Sequence, residues 1–198
     1  MKLPRFYPIF DSADWLRRAL PLGVKLVQIR IKDQPAPRLM GELALAQELC
    51  REHGATLVVN DHWRAAIDLG CDFLHLGQED LDLADIAAIR RAGMRLGIST
   101  HDHAELDRAL SLGPDYVALG PVWPTILKKM KWDQQGLDRV TEWRRLVGHI
   151  PLIAIGGVTP ERALQALAAG ADTVSAVTDI TLNPDPEARI REWLRVTA

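Results

Sequence analysis

Residues 113–119, Gly113-Pro114-Asp115-Tyr116-Val117-Ala118-Leu119, hold the phrase that decides the fold: a glycine, one or two small or polar residues, then a short apolar run. A helical stretch precedes it. Glycine accepts the left-handed conformation that ends a helix, and so short an apolar run reads as a strand buried on both faces. The phrase returns along the chain. It stands as Gly23-Val24-Lys25 before Leu26-Val27, as Gly54-Ala55-Thr56 before Leu57-Val58-Val59, and as Gly70-Cys71-Asp72 before Phe73-Leu74. It returns again as Gly93-Met94-Arg95 before Leu96-Gly97-Ile98, and as Gly170-Ala171-Asp172 before Thr173-Val174. With Phe6–Phe10 and Leu152–Ile155 added, the strands number eight.

Amphipathic segments lie between them. Pro37–His53 places Leu39, Leu43, Leu45 and Leu49 among Glu42, Gln47 and Glu48, while Asp82–Ala92 and Asp102–Leu112 open with the acidic residues that suit a helix N-terminus. Strands alternating with helices predict a parallel sheet, because parallel neighbours need a crossover. Eight such units in 198 residues predict an α/β protein of one domain, residues 1–198, folded as a single (β/α)8 TIM barrel at the small end of its size range. An open dinucleotide-binding sheet would carry G-x-G-x-x-G after its first strand. This chain does not.

Composition narrows the partners. The chain is 47% hydrophobic and 25% charged, with 24 Lys and Arg against 26 Asp and Glu, so no basic footprint for nucleic acid is expected. The N-terminus has no apolar signal region, and no apolar stretch approaches the roughly 18 residues of a membrane helix. Cys50 and Cys71 lie far apart without CxxC spacing, which points to neither a disulfide scaffold nor a cysteine metal site. The expectation is a soluble cytoplasmic protein acting on small molecules.

A barrel places its site at the C-terminal ends of its strands, so the polar residues ending each apolar run matter most. Gln28, Arg30 and Lys32 recur at period two and share a face. Asn60-Asp61 ends the third strand, His75 through Asp80 follow the fourth, and Ser99-Thr100-His101 ends the fifth. Alone, Asn60-Asp61 reads as a helix cap, Gly156-Gly157 as a tight turn, and His101 with His103 as side chains facing different ways. Together they converge on one concave site. Arg30 and Lys32 with Lys128 make a cationic cradle for a polyanion, and Asp61 with Asp80 can share Mg2+, which favours one or two carboxylates plus substrate phosphates. Gly156-Gly157 and Val177-Thr178 occupy the phosphate position common after barrel strands 7 and 8. No covalent nucleophile is evident. The combined reading is substitution with loss of diphosphate.

The motifs VQIRIKD (27–33), VVNDHWRAAIDLGCDFLHLGQEDL (58–81), LGISTHD (96–102), ALGPVWPT (118–125) and IAIGGVTPERA (153–163) closely resemble the thiamine-phosphate synthase family. That family is a (β/α)8 barrel joining hydroxymethylpyrimidine diphosphate to a thiazole phosphate, which in some cases carries a carboxylate, to give thiamine phosphate and diphosphate. The resemblance implies that Gln28, Ile29, Arg30, Ile31, Lys32, Asn60, Ser99 and Lys128 hold the pyrimidine diphosphate. It implies catalytic roles for Arg30, Lys32, Lys128 and Ser99, and Mg2+ on Asp61 and Asp80. Thr125, Leu127, Gly157, Val177 and Thr178 would hold the thiazole phosphate. Similar enzymes work dissociatively: diphosphate leaves, and the thiazole nitrogen captures the resulting pyrimidine methylene cation. Similar barrels are often homodimers, and the sequence itself does not set the assembly.

Two positions depart from the family pattern. Leu127 stands where a hydroxyl is usual, and losing one hydrogen bond to a charged group costs about 1.5–3 kcal/mol. Asp179 stands where a small residue is common, and a carboxylate beside a phosphate is unfavourable unless it points away. Two other readings compete. Thiazole tautomerase-like relatives tend to carry His where this chain has Pro121, and they lack the full set of Arg30, Lys32, Asn60, Asp61 and Asp80. A catalytically impaired paralogue that only binds phosphate ligands is the other.

Overall fold

In a computed structural model, which describes residues 2–126 and 132–198, eight parallel strands close into a barrel in the order β1 to β8. The strands are β1 Phe6–Phe10, β2 Leu26–Ile29, β3 Thr56–Asn60, β4 Phe73–Leu76, β5 Arg95–Thr100, β6 Tyr116–Leu119, β7 Leu152–Ile155 and β8 Thr173–Ala176. Each is hydrogen-bonded in parallel to its neighbours, and β1 closes on β8 through Tyr7 opposite Ser175. Residues alternate between two apolar layers. Tyr7, Leu26, Val58, Phe73, Tyr116, Ala118 and Ile153 fill the barrel interior. Val27, Ile29, Val59, Leu74, Leu96, Val117 and their like face outward against the helices. Strands buried on both faces read as continuous apolar runs, which is why the periodicity of the sequence was so plain.

The helices are α1 Ala13–Ala19, α2 Ala36–Glu52, α3 Trp63–Asp68, α4 Gln78–Leu81, α5 Ile86–Arg91, α6 His103–Ser111, α7 Gly136–Val147, α8 Pro160–Ala168, α9 Thr178–Thr181 and α10 Pro186–Val196. Gly23, Gly54, Gly70, Gly93, Gly113 and Gly170, the glycines of the repeated phrase, all have positive φ, as a chain turning from helix into strand requires.

One expected helix starts late. Asp82–Ala92 reads as a single helical segment, but only Ile86–Arg91 within it is helical, as α5, and the short α4 lies wholly before it. The reason is local: the Asp85 carboxylate accepts from the Ala88 N–H at 2.8 Å, and an aspartate satisfying that orphan donor starts a helix at its own position. Asp102 does the same for Glu105 at 2.9 Å and opens α6 where expected.

Candidate active site

The turn after β3 builds the centre of the site. Asp61 has φ +63, a left-handed conformation that Asp tolerates better than most residues. Its N–H donates to the His75 carbonyl of β4 at 3.0 Å, and its own carbonyl accepts from Trp63 at 2.7 Å. The His62 ring donates through Nε2 to the Ile31 carbonyl at 2.8 Å, tying this turn to the segment after β2. Lys32 thereby reaches Asp61, and its Nζ donates to Oδ2. The cap reading of Asn60-Asp61 is overturned: the residue flanking α3 is His62, and the Asn60 side chain is buried in the barrel mouth. Tertiary bonds to β4 and to the segment after β2 hold that turn in place of a local cap.

Gln28, Arg30, Lys32, Asn60, Asp61, Asp80, Ser99 and Thr125 line one cavity of about 290 Å³ at the strand C-termini. Ile29 and Ile31 are buried in the layer beneath the helices, so only their backbone is available to a ligand there. Among the described residues the Arg30 guanidinium has no carboxylate partner, which leaves its planar fork for an anion. Lys128 and Leu127 lie outside the described residues.

The electrostatics of the paired carboxylates are asymmetric. Burial pushes the Asp80 carboxyl above the usual carboxylate range, and the Asp61 charge beside it pushes the same way. Burial acts likewise on Asp61, but the Lys32 hydrogen bond and charge outweigh it and hold Asp61 below its ordinary value. Among the described residues no group of three or more His, Cys, Asp or Glu is placed to hold a metal. Asp61 and Asp80 are two carboxylates at the mouth that could hold a hard cation of the kind that takes one or two carboxylates with phosphate and water.

A recess of about 40 Å³ adjoins the cavity and shares Thr125, Ile155, Gly156 and Val177 with it. Gly157, Val158, Ser175, Ala176, Thr178 and Asp179 complete its wall. Here the glycine pair is required by contact as well as by φ. A Cβ on Gly157 would stand 2.3 Å from the Pro124 carbonyl oxygen, and one on Gly156 would stand 2.6 Å from Pro121 Cα. The chain after β6 packs directly on this turn, with Trp123 N–H donating to the Gly156 carbonyl at 3.0 Å.

Asp179 forms part of the recess wall, but its carboxylate is taken up by α10. Its carboxylate accepts from Arg189 Nε at 2.8 Å, Arg189 Nη2 at 2.7 Å and Trp193 Nε1 at 2.7 Å. The departure at this position is thus absorbed by α10. Asp179→Ala should leave the KM for the anion bound in the recess within about twofold, while stability drops by about 1–3 kcal/mol because Arg189 and the Trp193 indole lose their acceptor. Thermal melts and substrate titration of that variant check both halves.

Several site residues had no role assigned from sequence. His75 is an inward residue of β4, two after Phe73, and a polar group at an inward position of a barrel strand was the available signal. Its imidazole is held neutral, since burial lowers its pKa to about 4. His101 lines the cavity, bonds Glu105 at 2.7 Å and stacks on Trp132 with ring centroids 4.1 Å apart. His103 turns outward to Glu142. The two histidines diverge as their spacing implied.

A closed parallel barrel that gathers cations, paired carboxylates and a glycine turn around one mouth is a (β/α)8 enzyme for anionic substrates. The family model described as thiamine monophosphate synthase matches residues 7–180. The chain is 63% identical over 198 residues to the thiamine-phosphate synthase of Rhizobium etli, covering 100% of this chain and 97% of that protein. It is 43% identical over 189 residues to the thiamine-phosphate synthase of Neisseria meningitidis serogroup A, covering 96% and 92%. Among solved structures, the thiamine phosphate pyrophosphorylase from Pyrococcus furiosus superposes with a TM-score of 0.87 at 26% identity, over 98% of this chain and 95% of that one. The chain belongs to the thiamine monophosphate synthase family, and it is a transferase with that family's activity.

Proposed function

We infer that the chain couples hydroxymethylpyrimidine diphosphate to a thiazole phosphate or its carboxylated form, releasing diphosphate, and that it does so with Mg2+ on Asp61 and Asp80. The observation that carries this reading is the paired carboxylates lining one cavity together with Arg30 and Lys32, with a separate phosphate-sized recess alongside. Bound Mg2+ supplies charge neutralisation on the departing diphosphate. Arg30 offers a fork matched to phosphate oxygens, Lys32 a point charge it can transfer from Asp61, and Lys128 a third cation. Asn60, Gln28 and Ser99 orient the pyrimidine end.

A dissociative route suits these groups. Burial pushes the Cys50 thiol up to about 12 and the Cys71 thiol up to about 11, and neither lines the cavity. With no thiolate nucleophile at the mouth, the side chains act by stabilising the leaving group and holding two reactants together. Such positioning contributes up to about 7–11 kcal/mol of the barrier. The acceptor would sit with its phosphate against Gly157, Val177 and Thr178, and with Thr125 between the two anion positions. Among the described residues no helix is long and apolar enough to cross a membrane, and small molecules in the cytoplasm are the partners this reading names.

Incubating the protein with both substrates tests it. Thiamine phosphate should form with Mg2+ and cease when the metal is chelated. Product without metal removes Asp61 and Asp80 from the assignment, and no product with metal supports the impaired-paralogue reading. Arg30→Lys keeps the charge but loses the fork, so kcat/KM for the pyrimidine diphosphate should fall about ten- to a hundredfold with the melting temperature unchanged. A large drop in melting temperature would mean that Arg30 is structural.

A further inference from the structure

A line of polar side chains crosses the barrel interior, and its hydrogen bonds have a direction. Gln28 Nε2 donates to the Tyr7 hydroxyl at 2.8 Å. The Tyr7 and Tyr116 hydroxyls are 3.0 Å apart. Tyr116 OH lies 2.7 Å from His75 Nδ1, and His75 Nε2 lies 2.8 Å from Ser99 Oγ. Gln28, Tyr7, Tyr116 and His75 are all at least nine-tenths buried, so each proton in the line must find an acceptor within it.

Gln28 breaks the symmetry. Its amide nitrogen can only donate, so the Tyr7 oxygen receives that proton and Tyr7 must pass its own to Tyr116. Tyr116 then donates to Nδ1, the neutral imidazole keeps its proton on Nε2, and His75 donates to Ser99 Oγ. The opposite sense would bring two protons onto the Tyr7 oxygen and leave its own hydroxyl proton buried without an acceptor in the line. Burying an unsatisfied donor is disfavoured. The barrel is also shaped for this arrangement. A Cβ on Gly97 of β5 would stand 2.0 Å from Tyr116 Cζ, so only a glycine there admits the ring, which stacks on His75 at 5.5 Å.

We propose that Gln28, Tyr7, Tyr116 and His75 form a one-way hydrogen-bond relay that fixes the Ser99 hydroxyl as a donor aimed into the cavity, making His75 a positioning residue and not a base. The proposal rests on the reading of Ser99 as a pyrimidine-diphosphate ligand. The pair Ser99–His75 has the spacing of a serine nucleophile and its base, but a base would need a free Nε2 and an acceptor at Nδ1. Tyr116 supplies a donor at Nδ1. With Oγ receiving from His75, its remaining proton is committed to an acceptor on the substrate, a diphosphate oxygen or a ring nitrogen.

Two measurements on the full chain test this separately. Nitrogen-15 spectra of the ligand-free, histidine-labelled protein should show His75 protonated on Nε2, with the signal assigned by its loss in His75→Gln. Protonation on Nδ1, or labelling of Ser99 by a fluorophosphonate, overturns the relay whatever the substrate is. Kinetics then test its purpose. Tyr116→Phe should lower kcat/KM for the pyrimidine diphosphate about tenfold, leave the KM for the thiazole phosphate unchanged, and have less than about a twofold further effect once Ser99→Ala is present. Full additivity of the two substitutions means that Tyr116 does not act through Ser99. Wild-type turnover in Ser99→Ala, with the Nε2 proton in place, overturns Ser99 as a ligand and so the relay's role.

Discussion

Asp61→Asn is expected to lose about a hundred- to a thousandfold in turnover while the protein melts close to the wild-type temperature. Asparagine is the informative replacement because it keeps the side-chain shape and, like aspartate, accepts the left-handed backbone of this turn, φ +63. Alanine would add a backbone penalty and confuse the two effects. What asparagine removes is one negative charge from a pair whose partner, Asp80, is burdened by burial and by Asp61 itself. Losing the Asp61 charge gives up its attraction to Lys32 but relieves Asp80 of a like charge, and the two opposing effects leave a small change in stability. Function should respond differently, because a preorganised charge at a developing leaving group is commonly worth two to three powers of ten. Lys32 also loses the charged partner of its Nζ, though it and Arg30 both still face the diphosphate. The check is steady-state turnover across a Mg2+ titration, with Mn2+ binding read in the presence of inorganic diphosphate. Unchanged metal binding in the variant would place the cation elsewhere.

Gly97→Ala is expected to cost about 3 kcal/mol, which for a chain of 198 residues lowers the melting temperature by about 6–12 °C. The added methyl would meet the Tyr116 ring at 2.0, 2.3 and 2.4 Å. That ring cannot swing aside, since it is fully buried and is hemmed by Phe73, Tyr7 and His75 at centroid distances of 5.4, 6.1 and 5.5 Å. Overpacking a close-packed interior forces off-rotamer side chains or backbone shifts. Gly41→Ala makes the matching control. Gly41 lies inside α2 with nothing within 4 Å of an added Cβ, so there the same substitution should stabilise by about 0.5–1 kcal/mol. Opposite signs from one chemical change, read in parallel thermal melts, would isolate the Tyr116 contact. A Gly97→Ala protein that melts with the wild type would show that the ring is free to move.

Much of this was written in local order. The glycine-then-apolar phrase set six of the eight strands because helix ends and doubly buried strands are short-range events, decided within a few residues. Period two placed Gln28, Arg30 and Lys32 on one face, and all three line the cavity. The rule that barrel sites lie at strand C-termini then gathered residues as far apart as Asp61, Thr125 and Val177. The helix that starts at Asp85 instead of Asp82 shows the limit even of local reading, because two aspartates competed for one start.

Direction and partnership needed the closed barrel. Asn60-Asp61 looks like a cap until His62 binds the Ile31 carbonyl and Asp61 binds that of His75. Asp179 looks hostile to a phosphate until α10 folds back and Arg189 and Trp193 take its carboxylate. The line from Gln28 to Ser99 joins residues of five strands, β2, β1, β6, β4 and β5. Sequence by itself determined which side chains point inward, since that depends only on the alternation of a strand. Which inward side chains meet depends on the register and closure of all eight strands, and only the tertiary structure decides that.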